Sequence, residues 1–259
     1  MRPDRLRVIG FSALLGLAFL FLWQALVGMQ PAGRGIPGPL AVAATAAQML
    51  AHPFYNNGPN DKGIGLQLAA SLGRLGIGWV VASVVAIMGG VVLGLSPTLY
   101  RAVNPYVQVL KPISPLAWMP LFLYTIKDSS QSAILVIFMS SLWPTLANTA
   151  FGVATIKRDY LNVAAILQLS WWRRLVTVIL PAAAPAIVAG LRISIGSAWV
   201  AIVAAEMLIG GTGIGYFVWN EWNNLALTSV IFAILAIGVI GVLLDAALGR
   251  LSRRLAYTE

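Results

Sequence analysis

Six runs of mostly apolar residues, at 8–28, 69–95, 103–126, 132–153, 185–208 and 228–248, limit what this chain can become. A helix of ~20 apolar residues, rising 1.5 Å each, crosses the ~30 Å hydrocarbon core of a bilayer. Hydrocarbon offers backbone N–H and C=O groups no partner, so runs of this length must be helical. An all-α polytopic membrane protein with about six transmembrane helices is therefore expected. Composition agrees: 10% of the 259 residues are charged, against about a quarter in soluble domains. The run at 8–28 follows Arg2, Arg5 and Arg7 as a signal peptide would, but its 21 residues exceed the usual ~7–15. No A-x-A-like cleavage site follows it, so it reads as a retained first helix.

Charge placement orients the chain. With the N-terminus inside, the inner pieces hold Arg2, Arg5, Arg7, Arg101, Lys157, Arg158, Arg173, Arg174, Arg250, Arg253 and Arg254, eleven in all, and the outer pieces hold Arg34, Lys62 and Lys127, three in all. Lys and Arg favour cytoplasmic loops, so both termini are expected in the cytoplasm. The net charge of +9 is then a topology signal rather than a nucleic-acid patch. With no cysteine and one histidine, His52, no metal site, disulfide or Cys nucleophile can be assembled. No nucleophile-with-base pair or intramembrane carboxylate pair suggests an enzyme, so no catalytic residue is assigned.

Two breaks interrupt the helical pattern. Residues 29–65 form a long outer piece with Pro31, Pro37, Pro39, Pro53 and Pro59 around a helix-like stretch at 40–50; it is a solvated tether or a docking surface. The third run contains Pro112, Pro115 and Pro120. Freed carbonyls at that depth must be shielded by protein or line a cavity, a pattern shared by transport pathways and by simple kinks. Gly210, Gly211, Gly213 and Gly215 lack the Lys-Ser/Thr of a phosphate loop and read as a re-entrant or surface segment. Tyr216, Phe217, Trp219 and Trp222 after them suit an interfacial belt.

The segment at 159–181 lies on the inner side between the fourth and fifth runs. Tyr160, Leu161, Val163, Ala164, Ala165, Ile166 and Leu169 are apolar at helical spacing, with polar Asn162 and Gln168 among them. The pattern is amphipathic rather than spanning. Ser170 is placed to cap a second short helix opening with Trp171 and Trp172, which Leu180 and Pro181 would end.

Here the chain resembles the permeases of binding-protein-dependent ABC importers, whose signature is Glu-Ala-Ala, then Gly, then Leu-Pro at fixed spacing. Counted back from Leu180 and Pro181, Asn162 stands at the Glu position, Val163 and Ala164 at the Ala positions and Gln168 at the Gly position. The resemblance extends through Asn-Gly-Pro-Asn-Asp-Lys-Gly-Ile-Gly at 57–65, Ser-Pro-Leu-Ala-Trp-Met-Pro at 114–120, Ser-Leu-Trp-Pro-Thr-Leu-Ala-Asn-Thr at 141–149 and Trp-Val-Ala-Ile-Val-Ala-Ala-Glu-Met-Leu at 199–208. These strings, and Asn162 itself, are similar to the nitrate-type branch. Relatives of that branch handle bicarbonate, cyanate, taurine and other sulfonates.

The resemblance implies an ABC type I importer permease fold in the cell inner membrane. It implies an N-terminal tail and first helix (1–28), a periplasmic loop (29–65) and a core (66–259) whose cytoplasmic coupling loop spans 154–184. Implied partners are a second permease copy, two cytoplasmic ATPase subunits that hold ATP-Mg, and a periplasmic or lipid-anchored binding protein; no nucleotide cofactor sits in this chain. Tyr160, Asn162, Val163, Ala164, Ala165, Gln168, Leu169, Trp171, Trp172, Arg173, Leu180 and Pro181 would dock the ATPase.

Ionisable and polar residues within the runs are pathway candidates. Arg192 lines the pathway or snorkels to the inner surface. Lys111 attracts anions or is structurally paired. Glu206 would repel an anion and suits a basic partner or a backbone donor better. Ser114, Trp118, Asn148 and Thr149 offer neutral donors or bridge helices. A passive channel would not need an amphipathic inner segment of this kind.

Overall fold

The computed structural model describes residues 3–29 and 35–255. Arg2, Pro31 and Arg34, and the side chains of Arg5, Arg253 and Arg254, lie outside the described residues. Helix α1 covers Pro3–Gly28 and exposes Phe11, Leu14, Leu15 and Phe21 on the outside of the chain. A helix apolar all round belongs in lipid. Helix α2, Pro39–Ala51, starts at a proline in its first turn, where the missing N–H is not needed. It is the helix-like stretch expected within 29–65. Helix α3 (Ile64–Leu95) is 32 residues, about 48 Å long.

The third run departs from a single straight span. Helix α4 (Pro97–Leu110) begins where Ser96 accepts the Leu99 N–H at 3.3 Å. A 3₁₀ turn at Pro115–Trp118 then leads into α5 (Met119–Ile126), and the two halves meet at 82°. Ser114 is extended, with ψ 128°, as the ring of Pro115 requires of the residue before it. The prolines thus divide the span. Helix α6 (Ser129–Ala154) is capped by Asp128, whose carboxylate accepts the Gln131 N–H at 2.7 Å. Helices α7 (Arg158–Ile166) and α8 (Trp171–Arg174) follow, then α9 (Leu180–Ile209), α10 (Ile214–Asn223) and α11 (Leu227–Leu255). Among the described residues five helices are long and apolar enough to cross a membrane, and the bent pair is a broken sixth span or a re-entrant loop.

The bundle is built on α3, α6 and α9, lying side by side. A Cβ on Gly90 would sit 2.6 Å from Cβ of Thr149, one on Gly94 2.6 Å from Val153, and one on Gly190 2.8 Å from Asn148. Lipid tails are as apolar as leucine, so such helices associate through close packing of small residues rather than through burial from water. At the outer end Leu75, Ile137, Trp199, Ile202, Phe217 and Phe232 form one apolar cluster. Val91, Val153, Ile179, Ala183 and Ile187 form another at the inner end. Met119, Val136, Ala201 and Ala205 seat the bent pair on α6 and α9.

Gly90→Val is expected to force α3 from α6 and cost about 1–3 kcal/mol, the usual range for overpacking. A lower thermal unfolding midpoint of the detergent-purified protein is the readout; an unchanged midpoint would contradict the close approach.

Candidate functional site

On the inner side α7 lies against the bundle on one face only. Ala164 is 2% exposed, and Leu161 packs on the inner cluster. Tyr160, Val163, Ile166 and Leu167 are exposed, Ile166 most at 80% and the other three along the mouth of a cleft. Asp159 in the first turn favours the positive end of the helix dipole. The helix closes with the Leu169 N–H donating to the Ala164 carbonyl at 3.1 Å and the Gln168 N–H to that of Ala165 at 3.0 Å. This six-to-one and five-to-two pair is a Schellman ending, which requires a left-handed residue between them. Gln168 takes it, at φ 47°. The glycine of the family signature would occupy this position without a Cβ penalty.

Two expectations for the following residues need correction. Ser170 has the extended conformation of a cap, but its side chain makes no cap hydrogen bond; only its carbonyl accepts, from the Arg174 N–H at 2.8 Å. Leu180 and Pro181 do not end a helix. From α8 the backbone widens into π turns over Leu175–Ile179, with the Leu180 N–H donating to the Leu175 carbonyl, and continues as α9. Pro181 follows the widened turns directly, and the wider ladder accommodates a residue without an N–H inside the column. One helical column, Trp171–Ile209, therefore joins the amphipathic segment to the membrane. A cleft of about 870 Å³ separates α7 from the start of this column, lined by Tyr160, Val163, Ala164, Leu167, Leu169 and Pro181 among others. Trp171 and Trp172 stack at 6.3 Å with both rings exposed, and Asn162, Ala165 and Arg173 are exposed beside them.

The pathway candidates fall at four places. Lys111 and Ser114 are exposed at the bend. Trp118 stacks on Phe122, and its buried indole N–H finds no hydrogen-bond partner among the described residues. Asn148 donates to the Pro144 carbonyl of its own helix at 2.8 Å. The Thr149 and Thr145 hydroxyls are fully buried, with no partner among the described residues.

Glu206 stands at the outer end, fully buried. Its carboxylate accepts from Arg74 Nη1 at 2.7 Å, Ser71 Oγ at 2.7 Å and the Gly215 N–H at 3.1 Å. Arg74 also donates to the Thr212 carbonyl at 2.7 Å and to Ser130 Oγ at 3.0 Å. Gln67 accepts the Gly213 N–H at 2.6 Å. A side chain at Gly213 would overlap the Glu206 carboxylate. The glycine-rich segment lies at the surface at Gly211, as expected of it, and its second half folds in as a clasp over a buried charge. The aromatic belt is corrected too, because Phe217 is core, while Trp219 and Trp222 remain exposed. The outer piece folds onto this clasp: Lys62 Nζ donates to Thr212 Oγ1 at 2.6 Å and the Tyr216 hydroxyl to Asn60 Oδ1 at 2.9 Å.

Arg192 meets Asp245 of α11 fork to fork, Nε to Oδ1 and Nη2 to Oδ2, both at 2.6 Å. Sequence reasoning passed over Asp245, although it is the one acid in the run at 228–248. It also passed over Ser71, which bonds Glu206, Gln67, which bonds Gly213, and Thr212, which bonds Arg74 and Lys62; their types carry no signal until the clasp is folded.

Comparison with known proteins places these features in a family. Residues 81–257 match the binding-protein-dependent transport system inner membrane component family. The nitrate import permease protein NrtB of Synechocystis sp. is 42% identical over 226 residues, covering 87% of this chain and 82% of that protein. The corresponding protein of Leptolyngbya laminosa is 41% identical over 97% of this chain and 87% of its own. The bicarbonate transport system permease protein CmpB of Synechocystis sp. is 39% identical over 93% of this chain and 86% of its own. In fold, the chain is similar to a structure of the MetNI methionine ABC transporter in an inward-facing conformation. The TM-score is 0.62 at 17% identity, over 73% of this chain and 94% of that one.

Removing Arg74 alone strands a buried carboxylate, so Arg74→Met is expected to cost about 3–5 kcal/mol. Adding Glu206→Gln should restore most of that loss; thermal midpoints and yields of purified single and double variants decide it. At the inner ending, Gln168→Gly is expected to raise the midpoint by relieving a left-handed residue that costs ~1–2 kcal/mol, whereas Gln168→Val should lower it.

Proposed function

Because this chain belongs to the binding-protein-dependent transport system inner membrane components and is a multi-pass protein of the cell inner membrane, we propose that it is an importer permease carrying nitrate and nitrite. The observation that carries the coupling role is the exposed apolar face of Tyr160, Val163, Ile166 and Leu167 at the foot of an unbroken helical column. Apolar side chains in water at that foot are satisfied by a protein partner. Cytoplasmic ATPase subunits are that partner, and Ala164 and Leu169 set the height of the face above the bundle. Trp171, Trp172 and Arg173 extend the same contact. Two copies of this chain leave the pathway between them, and an external binding protein delivers the anion to the folded outer surface of 53–65 and α10.

Energy enters from the ATPase subunits, since the sequence carries no phosphate-binding loop. ATP binds one arrangement of those subunits more tightly than the other, and that difference shifts the access equilibrium of the permease. The chain has no catalytic role of its own. Nitrate is favoured over other anions by the three nitrate import permeases at 41–42% identity. A second reading, bicarbonate, is favoured by relatives at 39–40%; both substrates are planar, singly charged oxyanions.

Proteoliposomes holding the permease, its ATPase subunits and its binding protein should accumulate nitrate only with ATP. Excess bicarbonate should compete poorly; accumulation of bicarbonate without nitrate would replace the substrate assignment. Ala164→Asp buries a charge under the docking face, and uptake should fall at least tenfold, about 1.4 kcal/mol or more in coupling. Uptake equal to the parent would remove the docking role.

A further inference from the structure

The ion pair of Arg192 and Asp245 lies within the spans yet stays open to the surroundings, with the two side chains 49% and 52% exposed. Arg192 is 17 residues from the outer end of α9, roughly 25 Å along its axis. Asp245 is 18 residues from the outer end of α11, roughly 27 Å. Measured across a hydrocarbon core of ~30 Å, the pair sits about 3–5 Å inside the inner boundary, where water from the cytoplasmic side reaches it. The surroundings leave room: Ala189 and Gly196, one turn to either side of Arg192, are small and exposed. Gly249 lies beside the guanidinium, at a distance where a Cβ would make ordinary van der Waals contact.

The pair also has a chemical form. A carboxylate gripped through both oxygens by Nε and Nη2 presents a planar O–C–O edge with one negative charge. Nitrate presents a planar O–N–O edge with the same charge. We propose that Arg192 is a way station for a planar oxyanion in the pathway, and that Asp245 is its built-in stand-in. The inference rests on the importer reading above.

Arg192 and Asp245 belong to different helices, so a shift of α9 against α11 opens the fork. Helix α9 is the continuation of the column that begins at Trp171 beside the exposed α7 face, and motion at the inner foot reaches Arg192 without a break in the backbone. With the fork open, the anion takes both guanidinium donors while water solvates Asp245. When the helices return, the carboxylate reclaims the fork and displaces the anion, the weaker acceptor. This exchange avoids both an unpaired guanidinium in the resting protein and a trap for the passing ion.

The test uses the complete complex in proteoliposomes, with subunit co-purification reporting assembly. Arg192→Gln should lose at least tenfold in ATP-driven nitrate uptake, and Arg192→Lys, which keeps the charge but not the fork, should lose nearly as much. Asp245→Asn should slow uptake yet lower the nitrate concentration for half-maximal ATPase stimulation by about tenfold, because the fork stands free. The double variant Arg192→Asp with Asp245→Arg separates the roles if single variants fail to assemble. A purely structural pair is rebuilt by the swap and transports again, which would overturn the proposal; an assembled swap that remains inactive supports it. Should the parent complex carry bicarbonate instead of nitrate, the substrate reading fails, and the same variants scored with bicarbonate still decide the role of Arg192.

Discussion

Hydrocarbon provides no hydrogen-bond partner, and most of this structure is a response to that one fact. It makes the long runs helical, and it dictates where the chain is allowed to stop being helical. The segment after the bend rests against α6 and α9 through Met119, Leu116 and Phe122, while the bend itself, at 111–114, is exposed. The widened turns at Leu175–Ile179 stay hydrogen-bonded to themselves. Buried charge obeys the same rule. Glu206 has three donors around it, and the loop that supplies one of them contains glycine where any side chain would strike the carboxylate.

The outer clasp and the inner segment divide the labour of the bundle. At the outer end α3, α9 and the start of α10 are locked by Glu206, Arg74, Ser71 and Gln67, and the 53–65 piece is tied on through Lys62 and Asn60. The contacts there are polar, buried and mutually dependent. The inner end is looser: α7 touches the bundle mainly through Ala164 and Leu161, above a cleft. One continuous helix, Trp171–Ile209, joins the tied outer end to the lightly held inner end, and Arg192 lies partway along it.

The architecture was legible because apolar run length and charge asymmetry are physical requirements of the bilayer. The amphipathic segment was legible too, since Ala164 falls on the buried side and Val163 and Ile166 on the open side at helical spacing. What stayed hidden depended on contacts distant in sequence. Nothing near Arg192 announces Asp245, 53 residues away, and the Glu206 clasp draws on Gln67, Ser71 and Arg74 of α3, more than 130 residues away. The left-handed ending at Gln168 escaped notice because the residue that usually marks such a turn, glycine, is absent. Leu180 and Pro181 point to an ending because proline lacks a donor, yet the π turns before them let the helix continue.

The central claim, that the exposed face at the foot of the column meets an ATPase subunit, can be tested by contact. The chain contains no cysteine, so Ile166→Cys introduces a single attachment point for a short photoreactive group. In the assembled complex the expected result is an adduct with the ATPase subunit, together with loss of ATP-driven uptake once cross-linked. Adducts confined to lipid, with uptake undiminished, would contradict the account.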